Sequence, residues 1–241
     1  MRKKNVYLAM LALPVIIWLA ACHDGLHCID GNHDVISENR DATDFREIVS
    51  EGDFDVFLVQ DSIFSVEVEA ESNLMPYIST RVKGDILEID TRNNRCLDND
   101  YPMSIFIHAP DVESVLIEGS GYLSVEEYIV PEFYMAITGS GDIEANLITE
   151  YTRLDITGSG DAELWGTSIE TEFNISGSGS IRAYDLVQEN CFASISGSGD
   201  MYLFVTGLLD VKISGSGSIY YRGNPVVNTS ISGSGSVIRV N

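Results

Sequence analysis

The chain has 241 residues, 14 Lys and Arg against 37 Asp and Glu, and a formal charge of −23. That balance excludes a nucleic-acid binder working through a basic face, because neutralising phosphates takes clustered Lys and Arg. A hydrophobic share of 44% with 21% charged residues excludes wholesale disorder, and four cysteines are too few for a disulfide scaffold.

Residues 1–21 begin with Arg2, Lys3 and Lys4 and continue as an apolar run from Val6 to Ala21 without an acidic residue. This is the layout of a secretory leader, with an apolar core too short to span a bilayer comfortably. The run ends Leu19-Ala20-Ala21-Cys22, which resembles a bacterial lipobox. Cys22 is therefore expected to carry lipid and to tether the mature chain to a membrane, each buried methylene contributing about 0.8 kcal/mol.

Residues 22–43 show no sustained period and read as a polar tether. His23, His27, Cys28 and His33 carry metal-binding side chains, but their spacing matches no closed zinc or copper site. Cys28, Cys96 and Cys191 allow one disulfide in an oxidising envelope and leave one thiol over. The spacing does not say which pair forms.

Residues 44–112 form a β-rich section without the motif that dominates the rest. Phe64, Val66, Val68 and Ala70 alternate with Ser65, Glu67, Glu69 and Glu71, the period-two pattern of a strand with one buried face. Lys83-Gly84-Asp85 separates two strand-like runs and predicts a hairpin. Residues 103–110 read as another strand ended by Pro110. The section is expected to cap the edge of the repeats that follow.

Residues 113–241 contain Gly-Ser-Gly at 119–121, 139–141, 158–160, 177–179, 197–199, 215–217 and 233–235, at spacings of 18 to 20 residues. A period near 19 predicts a solenoid with one coil per repeat. Ile117, Ile137, Ile156, Ile175, Ile195, Ile213 and Ile231 stand two positions before each first glycine and are expected to form an internal ladder. Leu123, Ile143, Ala162, Ile181, Met201, Ile219 and Val237 follow each corner and should also point inward. Each coil then holds a strand, a glycine corner, a second strand and about eight looser returning residues. A phosphate-cradling reading of the glycines fails, because that chemistry needs a helix N-terminus next and a strand follows. The fold class is all-β.

The lipobox, the segment FREIVSEGDFDVFLVQ with RVKGDILEI, and the repeated I-[TS]-G-S-G-[DS] corners together resemble the auto-transporter adhesin, head GIN domain family of Bacteroidetes envelope lipoproteins. The resemblance implies a right-handed parallel β-helix on the cell envelope and, by its name, adhesion. It brings no catalytic motif. Export is expected through the leader and the lipid rather than through a membrane barrel.

Three functions are weighed. The first is a non-catalytic, lipid-anchored envelope module, periplasmic or surface-exposed, that binds a surface glycan, a protein or another copy of itself. The second is a periplasmic or outer-membrane structural scaffold. The third is a glycan-active β-helix enzyme, for which fold alone is no evidence. Its best carboxylates are the outward square of Asp142, Glu144, Asp161 and Glu163 on adjacent coils, which also has the oxygen chemistry for calcium; no other cofactor is expected. Tyr202 and Tyr220 share an outward position one coil apart and could form an aromatic platform for sugars. At the last coil either Arg239 discourages edge pairing or the edge meets another subunit.

Overall fold

The computed structural model describes residues 28–241. The leader, the expected lipid site Cys22, and His23 and His27 lie outside the described residues. None of the described helices is long and apolar enough to cross a membrane. The architecture is a β-solenoid of about 7 turns with about 19 residues per coil.

Gly119, Gly139, Gly158, Gly177, Gly197, Gly215 and Gly233 pair in parallel register and form one column of corners. Gly177 shows why alanine cannot serve there. Its φ is +138°, and an added Cβ would lie 2.0 Å from the carbonyl oxygen of Gly158 in the coil beneath. Beside the corners, Ile117, Ile137, Ile156, Ile175, Ile195 and Ile213 are buried one above another. Ile231 breaks the expected seven-member ladder and is 43% exposed, because no described coil covers it. The strands Val226–Gly233 and Ser236–Arg239 pair only with the preceding coil among the described residues. From Val211 onward the sequence contains no Asp or Glu, so this end lacks the negative charge of the body.

The returning residues are not loose. Asn146, Leu147, Ile148 and Thr149 pair with Trp165, Gly166, Thr167 and Ser168, so strand pairing runs almost continuously from corner to corner. Pairing the return segment satisfies backbone groups that a bare loop would leave to water. The interior at this third bend is polar. Buried Thr149, Thr152 and Ser168 hydrogen-bond one another, and Thr171 donates to Gln188 Oε1 at 2.6 Å. Free Cys191 is buried beside them, and burial pushes its thiol up to about 12.

The section 44–112 is more than a cap. Glu47–Gly52 pairs in parallel with Ser114–Gly119, and Gly52, with φ +124°, sits below Gly119 as one more corner. Asp55–Gln60 continues that coil beneath Tyr122–Ile129. Beneath it in turn lie Ile86–Thr91 and Ser104–Ala109, also parallel. The spatial order therefore differs from chain order: the chain lays down one coil, passes outside to build another, and returns to its opposite side at Ser114. Buried Tyr128 fastens this crossover, accepting the Val112 N–H at 2.8 Å and donating to the Ala109 carbonyl at 3.1 Å. Burial raises its hydroxyl pKa to about 12, against the lowering effect of the Val112 bond.

Antiparallel strands close this end. Ser65–Glu71 pairs with Ser104–Ala109, and Val35–Arg40 pairs with Ser65–Glu71. Residues 35–40 had been read as tether, and the absence of apolar alternation hid them. They are an edge strand whose exposed face has no core to fill. The expected hairpin at Gly84 is present between Ile78–Lys83 and Ile86–Thr91. The disulfide joins Cys28 to Cys96 across 68 residues and fixes the N-terminal segment to the cap.

Glu71 is the hub of that clasp. Its buried carboxylate accepts the N–H of His33 at 2.6 Å and of Asp100 at 2.9 Å. Burial alone would raise its pKa, but the N–H groups of His33, Asp100 and Tyr101 and the nearby His33 ring outweigh it and hold the group below its ordinary 4.5. The unfolded chain thus takes up the proton first, and the contribution of Glu71 is complete above pH 4.5 and lost as pH falls through the lower folded value. Glu71→Gln is expected to abolish this dependence. Hydrogen-exchange protection of the His33 and Asp100 amides should fall below pH 4.5 in the parent and stay flat and lower in the variant. Matching pH profiles would refute the assignment.

Candidate ligand-binding groove

On the outer wall, the Asp that follows a corner links one coil to the next. Asp142 Oδ1 accepts the N–H of Asp161 at 3.1 Å, Asp161 Oδ1 accepts the N–H of Ser180 at 2.8 Å, and Asp200 Oδ1 accepts the N–H of Ser218 at 2.8 Å. Each carboxylate thereby knits its coil to the next, which explains the recurrence of Asp at this position.

Those bonds redirect the expected carboxylate square. Asp142 pairs with Asp161 and Glu144 with Glu163 in register, as the spacing predicted. However, Asp142 and Asp161 turn toward backbone N–H groups, Asp161 also holds Arg182 at 3.3 Å, and Glu144 accepts the Tyr122 hydroxyl. Burial, then that bond to Glu144, raises the Tyr122 pKa. Among the described residues the grouping with ligand atoms within 4.8 Å of one another is His33, Glu71 and Asp100, not the square. There, too, Glu71 is already filled by backbone donors. Asp142 and Asp161 thus serve as inter-coil links, and Glu163 is left to the groove.

Glu163 lines a groove of about 530 Å³ with Leu164, Trp165, Arg182, Tyr184, Asp185 and Tyr202. The groove exists because the coils fall out of register here. Glu163 faces Arg182 but Trp165 faces Asp185, and in the next pairing Ala183 faces Leu203 while Val187 faces Phe204. Residues 184–186 are therefore left without partners in the following coil, the kind of irregularity that re-aims side chains at sites. Trp165 and Tyr184 are half-buried on either side of the step.

Aromatic rings continue the wall along the rod axis. Tyr184 meets Tyr202 edge to face, with centroids 5.6 Å apart at 72°. Tyr202 and Tyr220 lie face to face, 5.2 Å apart at 9°. The Arg222 guanidinium sits 4.0 Å from the Tyr184 ring centre. Burial raises the Tyr184 pKa, opposed by Arg222. Because Tyr202 and Tyr220 cover one face of each other, a ligand meets their edges and hydroxyls there. The ring surfaces in the groove are those of Trp165 and Tyr184. The sequence alone does not assign a side to Trp165 or point to Tyr184 and Asp185. Its trace of the step is in the spacing: Gly177 to Gly197 is 20 residues and Gly197 to Gly215 is 18, a surplus followed by a deficit.

A second groove of about 530 Å³ lies at the cap, lined by Arg40, Arg81 and Arg92 among polar residues. Two of its cations are committed, Arg81 to Asp90 and Glu88 and Arg40 to Glu38.

The comparisons with known proteins agree with this architecture. A putative lipid binding protein from Parabacteroides distasonis ATCC 8503 is 27% identical, with 88% of this chain and 99% of that one covered and a TM-score of 0.76. A putative adhesin from Bacteroides fragilis NCTC 9343 is 23% identical, covering 88% and 100%, with a TM-score of 0.81. A putative adhesin from Parabacteroides merdae ATCC 43184 is 21% identical, covering 88% and 99%, with a TM-score of 0.70, and the last two show the fold alone. No curated protein matches the chain. The family model described as "Putative auto-transporter adhesin, head GIN domain" matches residues 44–225 and takes in both the first coils and the groove, so the chain belongs to that family.

Proposed function

We propose that this protein is a non-catalytic, lipid-anchored module of the cell envelope that holds a surface ligand in the Trp165 groove. The observation that carries the reading is the groove itself: register breaks in two successive pairings, on both sides of residues 183–187, open ring surfaces beside charged groups. The family name and those of the similar structures speak of adhesion or lipid binding, and none names an enzyme.

The anchor is supported by the Leu19-Ala20-Ala21-Cys22 sequence and by what the clasp does to the tether. Between Cys22 and the disulfide-bonded Cys28 lie five residues, a stretch of sequence that can reach at most about 20 Å. The cap then faces the membrane closely and the coils rise away from it. Cys22→Ser tests this. The parent should incorporate labelled palmitate, fractionate with membranes and be cut by protease added to intact cells, whereas the variant should lose label and membrane association. A parent without label, or a variant that keeps it, would overturn the anchor; a parent protected from protease would overturn surface display.

A further inference from the structure

We propose that the Trp165 groove is a saccharide subsite for an uncharged glycan, a reading that rests on the binding role given above and narrows its ligand. Three observations point to this class. Trp165 is the one tryptophan among the described residues, and it stands half-buried at the step where the coil above loses register. An amphipathic ring in that position offers the apolar face on which the C–H side of a pyranose packs.

The polar rim supplies the second observation. Glu163 and Asp185 bring acceptors and Arg182 brings donors around the rings, which matches the hydroxyls of a sugar, each both donor and acceptor. The volume of about 530 Å³ falls within the range of about 300–1,000 Å³ for small-ligand sites. An acyl chain would leave these charged groups unpaired and desolvated, a costly arrangement.

The third observation is charge. Arg182 is held by Asp161 at 3.3 Å, so its charge is largely spoken for. Glu163 and Asp185 then outnumber Arg222, the cation that sits 4.0 Å from the Tyr184 ring centre, and leave the groove negative within a chain of net charge −23. Uronates, sulfated sugars and phosphorylated sugars are repelled, and neutral hexoses or N-acetylhexosamines are not. Tyr202 and Tyr220 extend the wall toward the last described coils, so a linear oligosaccharide can run along the rod axis over successive coils.

The test uses the full chain against immobilised neutral oligosaccharides, uronic-acid oligosaccharides, short peptides and fatty acid, with hits quantified by calorimetry. Neutral oligosaccharides should bind. Trp165→Ala should weaken binding at least tenfold with its melting transition near that of the parent, and Trp165→Phe should retain part of it. Tyr134→Ala, on a different stretch of wall beside Tyr151, should change nothing. Binding only of uronates, peptide or fatty acid, an empty array, or full affinity in Trp165→Ala would overturn the saccharide assignment. Because the Cys22 labelling and protease results are independent of the array, they show separately whether the envelope module itself stands.

Discussion

Ile175→Asp is expected to lose most of the stability of the solenoid. Ile175 is buried at the middle of the ladder, in register with Ile156 below and Ile195 above, and its Cγ2 reaches under Gly199 of the next coil. An aspartate there removes apolar contacts worth about 2–5 kcal/mol and adds a carboxyl group with no partner. The total of about 4–6 kcal/mol approaches the whole stability of many domains, about 5–15 kcal/mol. Circular dichroism should show a broad or absent transition. Ile231→Asp is the matched control, since it holds the same repeat position but lies 43% exposed, and it should cost less than about 1 kcal/mol. Equal melting of the parent and Ile175→Asp would mean that the stacked column does not hold the coils together.

Gly177→Ala should be nearly as damaging although it adds only a methyl group. The strained φ contributes about 1–3 kcal/mol, and the Cβ must also displace the backbone carbonyl of Gly158, from which it would stand 2.0 Å. Backbone cannot rotate aside as a side chain can, so the coils must separate locally, and about 3–5 kcal/mol is expected in all. Gly84→Ala separates the two contributions. Gly84 has φ +67° with nothing within 4 Å of an added Cβ, so it should show only the conformational cost, about 1 kcal/mol. If chemical denaturation gave the two variants the same midpoint, coil-to-coil crowding would not be the reason for the repeated glycines.

The repeats were legible because each coil must satisfy the same constraint at the same place. A corner stacked on another corner excludes Cβ, and an inward position excludes charge, so glycine and isoleucine recur whatever else changes. The first corner escaped notice for the same reason. Gly52 has only the ring of Phe54 near its missing Cβ, with no corner backbone beneath. A second glycine is therefore not required, and the motif reads Gly52-Asp53-Phe54. The placement of Ile86–Thr91 outside Glu47–Gly52 was not legible, since alternation marks a strand but does not name its neighbour. In the groove, Tyr202 and Tyr220 could be paired from the repeat alone. Trp165 and Tyr184 could not, because a bulge shifts the phase from which inward and outward are counted.

The in-register column of corners has a consequence for how such a chain changes length. When every coil offers its successor the same surface, the unit of tolerated insertion or deletion is one full lap rather than one residue. Excising residues 140–158 would rejoin Gly139 to Ser159 with each inward and outward position still in phase, whereas removing a single residue would turn inward positions outward. Rods of differing height can thus descend from a common ancestor by copying or dropping laps, while the disulfide-held clasp and the ring-lined step stay unchanged.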